Sequence, residues 1–368
     1  MKDFTQWQML FDKQQLYDFT LDSSGVIWLK LKSLMRKNIL KDFCTQNDIH
    51  LQTNGLKDNF QELYALYQAE LLSTQDIDNF LLYYNQKESY EMEQIFETIK
   101  LELYKLQEFS WGGDSANSLD KQIVSYVKDT YLYDDMVYKI ENDIAIHTRK
   151  YTLNSWYNNW TSILTEHLFK KHKYVLSAIG KIKSVDFFIK NIPIDLKITY
   201  LPKEYFKMVR KNHGLLSEMT FLKKVATEYQ INFNKNDSDD LIKYQILEQA
   251  KDKNNSDLTR SIQQFTKENH DLIQKIINNK FDLIKWLYES QGEMRFGAEN
   301  RLFIVLINPD NMVDSWKLKR NFTLLEQKIS SYLDFFQEKD FLKNTIGFNF
   351  KGKSYKCFSD IIFISHQH

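Results

Sequence analysis

Asp186, Asp195 and Lys197, in the stretch Ser184-Val-Asp-Phe-Phe-Ile-Lys-Asn-Ile-Pro-Ile-Asp-Leu-Lys-Ile-Thr199, are the residues whose types and spacing could do chemistry, with Glu166 on the segment before them. The runs Ser184 to Ile189 and Ile192 to Thr199 are rich in β-branched and aromatic residues, and Lys190-Asn191 reads as a two-residue hairpin connection in which Asn tolerates positive φ. In that register Ile189 faces Ile192 and Asp186 faces Asp195. Alternation along the strands then puts Asp186, Asp195 and Lys197 on one face, and Val185, Phe187, Ile189, Ile192, Ile194, Leu196 and Ile198 on the other. Two opposed carboxylates repel unless a cation or a shared proton offsets them. Mg²⁺ suits the position, because it prefers hard oxygen ligands, takes one or two carboxylates and fills its shell with water and phosphate oxygens. A lysine two residues beyond the second aspartate can lower the pKa of an attacking water or neutralise charge on a phosphate. The chemistry expected of such a cluster is phosphodiester hydrolysis.

The elements that must position these groups follow from periodicity. Asn154 or Ser155 can cap a helix whose apolar stripe is Trp156, Trp160, Ile163, Leu164 and Leu168, with Glu166 beside it and His167 within it as a satisfied core histidine. Tyr174 to Ile182 and the hairpin supply strands. After Pro202 a helical region reaches about Ser290, broken at residues 234–240 and 251–256, its last helix periodic through Leu258, Ile262, Phe265, Leu272, Ile276 and Leu283. Arg301 to Ile307 is a continuous apolar run before Asn308-Pro309, as expected of a strand covered on both faces. A helix from about Asp314 to Phe336 and a hairpin turning at Lys351-Gly352 complete the chain.

The spacing Asp186, eight residues, Asp195-Leu-Lys197 resembles the PD-(D/E)xK nuclease superfamily, and the run into Leu201-Pro202 looks most like a type II restriction endonuclease. Val185 stands where that pattern often has proline. The resemblance covers the central and C-terminal parts of the chain. It implies a core of helix, antiparallel hairpin, further helix and parallel strand, the order read above. It also implies that Asp186 and Asp195 bind Mg²⁺, that Glu166 helps hold the metal's water shell, and that Lys197 activates the water or stabilises the phosphate. Implied partners are double-stranded DNA, a second copy in a homodimer, and a cognate DNA methyltransferase acting on the same site.

Composition sets the outer bounds. Hydrophobic residues at 43% and charged residues at 27% describe a globular protein, and 49 basic against 49 acidic side chains mean that nucleic acid would have to meet a local basic cleft. Candidate DNA contacts are Lys317, Lys319 and Arg320, then Lys351, Lys353 and Lys356, with a smaller cluster at Lys170, Lys171 and Lys173. Cys44 and Cys357 make no disulfide framework, no apolar run approaches a membrane span, and the start shows no secretory pattern, so a cytoplasmic protein without a membrane segment is expected.

Helical spacing over the first hundred residues, as in Phe60, Leu63, Tyr64, Tyr67 and Leu71, ends at Ser110-Trp-Gly-Gly-Asp-Ser-Ala-Asn-Ser118. The chain therefore divides into an N-terminal helical domain, 1–118, for recognition or dimerisation, and a nuclease core, 119–368, of mixed α/β (α+β) class with a helical insertion at about 203–290. The expected activity is that of a Mg²⁺-dependent endodeoxyribonuclease. The rival readings are a relative acting on RNA, on branched DNA or in phage defence, and a non-catalytic nucleic-acid-binding module of the same fold.

Overall fold

The computed structural model describes residues 2–13, 15–109, 116–180, 182, 184–237, 239–290, 299–350 and 352–365. The N-terminal helices are α1 (Phe4–Asp12), α2 (Leu16–Thr20), α3 (Ser23–Ser33), α4 (Lys37–Gln46), α5 (Leu56–Gln68) and α6 (Thr74–Leu103). Next come α7 (Ala116–Asp129), α8 (Tyr133–Lys139), a π-helical turn (Ile140–Ile144) and α9 (Ala145–Lys170). Strands β1 (Val175–Ser177), β2 (Phe187–Ile189) and β3 (Ile192–Tyr200) precede α10 (Lys203–Asn212), α11 (Glu218–Glu228), α12 (Asp239–Asp252), α13 (Ser256–Asn278) and α14 (Lys280–Ser290). The rest is β4 (Arg301–Ile307), a 3₁₀ segment (Met312–Arg320), α15 (Phe322–Asp334), α16 (Glu338–Lys343), β5 (Thr345–Phe350) and β6 (Lys353–Ser365). Among the described residues no helix is long and apolar enough to cross a membrane.

The strands form one mixed sheet in the order β1-β2-β3-β4-β6-β5. Its centre is parallel, β3 beside β4 and β4 beside β6, and its edges are antiparallel. β4 is buried along its whole length, as an apolar run with helices on both faces should be. Leu302, Ile304 and Leu306 face a core shared with Ile192, Ile194, Leu164 and Leu168 under α9 and α15. Phe303, Val305 and Ile307 face the opposite core, built with Leu272, Ile276, Leu283 and Leu287 of α13 and α14. The chain is thus a mixed α and β fold whose sheet is flanked by helices, with α10 to α14 lying between β3 and β4.

The hairpin register is the expected one, with Ile189 paired to Ile192 and Phe187 to Ile194. The positive φ falls on Lys190 (54°) instead of Asn191. Two contacts account for the exchange: Lys190 Nζ donates to the Phe336 carbonyl at 3.0 Å, and the Asn191 side-chain oxygen accepts from Lys30 Nζ at 3.0 Å. Lys30 is fully buried and also pairs with Asp78 at 2.6 Å. The N-terminal helices thereby grip the hairpin turn. Their core takes in Phe188 and Val185, so Val185 leaves the apolar face it was expected to share with Phe187 and Ile189 and packs behind the hairpin.

Three further expectations are corrected. Asn154 is not a cap: α8, the π turn and α9 run on with helical backbone angles at Lys139 and Ile144, and Asn154 is buried inside the helix. The buried line of α9 is Tyr157, Thr161, Leu164, Leu168 and Phe169, with Trp156, Trp160 and Ile163 only half-buried. Thr161 and Thr165 fit that line because their hydroxyls bond back to carbonyls four residues earlier, at 2.6 and 2.7 Å. The helix expected from Asp314 is 3₁₀ as far as Arg320, and the α-helix begins only after Asn321, whose side chain caps Leu324 N. The breaks near 234–240 and 251–256 fall between α11 and α12 and between α12 and α13, and Gly352 turns the last hairpin at φ +76°. Most of the expected linker, residues 110–115, lies outside the described residues.

At Gly180, between β1 and β2, a Cβ would fall on the carbonyl oxygen of Ser33, the last residue of α3. That close approach seats the N-terminal helices on the sheet. Gly180→Ala must push backbone against backbone and is expected to lower stability by about 2 kcal/mol or more. Gly347→Ala, with open space around the new methyl, should change it by roughly 0.5 kcal/mol or less. Urea midpoints of the two variants check this; equal midpoints would mean that the Ser33 contact does not constrain the fold.

Candidate functional site

β3 changes neighbour at Asp195. Residues 192–194 pair antiparallel with β2, and from Asp195 onward the strand pairs in parallel with β4. The hairpin opens at the same level. Asp186 N still donates to the Ile194 carbonyl at 2.8 Å, but beyond it β2 supplies no acceptor for the next β3 amide. The Asp186 carboxylate takes that role, with Oδ2 accepting from Leu196 N at 2.7 Å. Leu196, Lys197 and Ile198 are half-buried along this opened edge.

Asp195 is buried, 5% exposed, and both its oxygens have cationic partners. Lys197 Nζ lies 2.7 Å from Oδ1, and Arg301 Nε lies 3.2 Å from Oδ2. Arg301 continues the network, donating to Glu299 Oε2 at 2.7 Å while Ser184 Oγ donates to Glu299 Oε1 at 2.8 Å. Its guanidinium stacks 4.7 Å from the Tyr288 ring centre. Burial alone would lower the Arg301 pKa, but Tyr288, Glu299 and Asp195 together raise it above its ordinary value, so Arg301 stays charged. Asn300, between Glu299 and Arg301, accepts from Asp195 N at 2.9 Å through its carbonyl.

Asp186 is the carboxyl of the site whose electrostatics depart most clearly from the ordinary. Burial, then the neighbouring Asp195 and Glu166 carboxylates, push its pKa up to about 6 against the opposing pull of the Leu196 amide and Lys197. Its Oδ1 takes no hydrogen bond from the described residues. Glu166 acts on it through space: its own carboxylate is held by Lys170 at 2.7 Å, one helical turn on. Among the described residues no three His, Cys, Asp or Glu side chains converge closely enough to hold a metal ion. The acids nevertheless have the donor chemistry a hard cation requires, and burial together with the neighbouring carboxylates raises the pKa of Asp186.

Asp186, Asp195 and Lys197 are therefore brought together, with Glu166 within electrostatic reach. The basic residues expected to contact DNA are dispersed. Lys319 is buried and donates to Asn158 at 2.5 Å and Ser162 at 3.2 Å, and its burial pushes its pKa down to about 7. Arg320 is buried too, donating to the Leu103 and Leu106 carbonyls, so these two serve packing and not a phosphate surface. Lys317 is exposed but paired with Asp314 at 2.9 Å. Lys353 and Lys356 are exposed on β6, and Lys351 lies outside the described residues. Lys170 and Lys171 are tied to Glu166, Glu93 and Glu326. His167 is the core histidine expected, buried and 3.0 Å from Glu93. Missed from the sequence were Glu299, Asn300 and Arg301. Their signal was a polar triplet at the mouth of an apolar strand, meaningful only once that strand is laid parallel to the one carrying Asp195.

The raised pKa of Asp186 makes a signed prediction. The folded value, about 6, lies above the unfolded 3.8, so the folded chain holds a proton that the unfolded chain releases. The stabilisation is full below about pH 4 and is lost as pH rises through 6, with an upper limit on the order of 3 kcal/mol. Asp186→Asn keeps an acceptor for Leu196 N and removes the charge. It should raise the urea midpoint at pH 8 and leave it nearly unchanged at pH 4; equal effects at both pH values would contradict the assignment. No family model matches the chain, and no curated protein or solved structure is significantly similar to it.

Proposed function

We propose that the protein is a Mg²⁺-dependent endodeoxyribonuclease of the PD-(D/E)xK kind, hydrolysing phosphodiester bonds in double-stranded DNA in the manner of a type II restriction endonuclease. The observation that carries this reading is the Asp186 carboxyl at the opened end of the hairpin, its pKa raised by burial and then by Asp195 and Glu166, beside a lysine two residues beyond Asp195. The order of elements supports it: a helix bearing Glu166, a hairpin bearing both aspartates, then helices and a strand parallel to the second aspartate's strand.

Asp186 and Asp195 would hold the ion, with Glu166 acting through its water shell. When bound, Mg²⁺ supplies Lewis-acid activation of water and neutralises charge on the phosphate. The chain's own groups do the rest. Arg301 fixes the rotamer of Asp195 through Oδ2, leaving Oδ1 as the oxygen shared with Lys197. Lys197, once a cation competes for Asp195, can turn its ammonium to the scissile phosphate and neutralise charge that develops there. The Leu196 amide orients Asp186. The cut would leave the negative charge on an oxygen that these cations can meet.

One observation favours a second reading. Both Asp195 oxygens are already matched by basic side chains, as in a site whose charges serve only the fold. The two are separated by incubating the protein with unmethylated duplex DNA in Mg²⁺ or EDTA, alongside Asp195→Asn and Lys197→Ala. Cleavage that needs Mg²⁺ and falls by about 10²-fold or more in each variant is expected. A folded wild type that binds DNA without cutting it under any divalent ion would leave the non-catalytic module standing.

A further inference from the structure

At the far end of β4 from Arg301, roughly 20 Å along the strand, lies a cleft that the acidic cluster does not share. The chain leaves β3 into α10 on one face of the sheet and leaves β4 towards α15 on the other. Divergence of this kind opens a crevice outside the carboxyl ends of neighbouring parallel strands, the place where open α/β sheets take their ligands. The opposite wall is the helical insertion. α11, α12 and the start of α13 have a core of their own, distinct from the one that α13 builds farther along with β4. Leu247 and Ile262 lie half-buried at the margin of that core. Together with Tyr244, Ala250, Gln263 and Val313 they line a cavity of about 480 Å³.

That volume suits a small molecule with an apolar body, and the polar groups of the lining narrow its kind. Lys243 is held by Glu218 at 2.7 Å, Lys251 by Glu248 at 2.6 Å, and Asp310 lies 3.2 Å from His270 Nε2. The charges around the cavity are thus met within the protein, and the occupant they suit is uncharged. Two polar groups remain: the Tyr244 hydroxyl and the Gln263 carboxamide enter no hydrogen bond among the described residues. Tyr244 is 63% exposed and offers its ring for stacking. A carboxamide presents a donor and an acceptor side by side, which match N7 and the N6 amino group of adenine in a bidentate pair. Guanine has two acceptors at that edge and calls for a lysine or arginine, and the lysines here are taken. We propose that this cleft binds the adenine base, in a nucleoside or on a strand, stacked on Tyr244 and read by Gln263.

The cleft does not depend on the reading of the acidic site, and its test does not use activity. Calorimetric titration of the full chain with adenosine is expected to show saturable binding with a dissociation constant of about 100 μM or tighter. Gln263→Ala and Tyr244→Ala, both at exposed positions, should each weaken it by about tenfold. Inosine has an acceptor where adenine has a donor; it should bind the wild type about tenfold more weakly than adenosine and lose nothing further in Gln263→Ala. AMP should bind within about threefold of adenosine, because the lysines already have partners. Val313→Trp adds bulk at an exposed wall of the cavity and should abolish binding while the urea midpoint holds. A short oligodeoxyadenylate identifies the source: binding tighter than adenosine assigns a base carried on a strand, weaker binding a free nucleoside. No saturable binding up to about 1 mM adenosine, equal affinity for inosine, AMP about tenfold tighter than adenosine, or indifference to Val313→Trp would each overturn the proposal.

Discussion

A carboxylate taken out of water must be met by positive charge, and the meeting of Asp195 with Arg301 is the constraint on which this structure turns. It ties the strand that leaves the hairpin to the strand that enters the middle of the sheet, at the residue where β3 changes from one neighbour to the other. Removing either partner would leave the other with a single remaining ion pair, Asp195 with Lys197 or Arg301 with Glu299. Glu299, Ser184 and Tyr288 complete the pair, so the ionic group is satisfied on every side and fixes the register of a sheet whose apolar faces alone would tolerate slippage by two residues.

Asp186 stands in contrast to that satisfied pair. The fold places it where one of its oxygens completes a backbone ladder and the other meets no donor among the described residues, beside two further acids. Holding such a carboxyl ionised works against stability, and uncompensated charge of this sort tends to gather where a protein handles a ligand. The two aspartates thus lie at the same hairpin and differ in electrostatic setting, one paired with two basic side chains and the other buried beside two further acids.

The hairpin, its register and the central buried strand were legible in the sequence because each is written in a short period: alternation in one case, a continuous apolar run bounded by Asn308-Pro309 in the other. What alternation could not convey was the third dimension. Val185 and Phe188 read as parts of a local strand pattern, yet they are claimed by N-terminal helices far away in the chain. Asn154 has the chemistry of a cap, but a helix already under way does not stop for a capping residue. Lys319 and Arg320 looked like a basic surface because charge in a sequence carries no information about depth; the 3₁₀ turn points both inward, where carbonyls and polar side chains of other helices receive them. The acidic pair could be recognised from spacing, while its partners at 299 to 301 depended on a strand pairing that spacing does not encode.

Asn300 joins parts of the chain made at very different times. Its side chain donates to Thr20 at 2.5 Å and to the Pro193 carbonyl at 3.2 Å, and it accepts from Phe358 N at 3.1 Å. During synthesis these contacts cannot close until the last strand has emerged, since β4 has only one of its two neighbours before then. Long-range closure of this kind is slow relative to helix formation. The helices would therefore form first, and the charged network around Asn300 would close only when the strand carrying Phe358 docks beside β4.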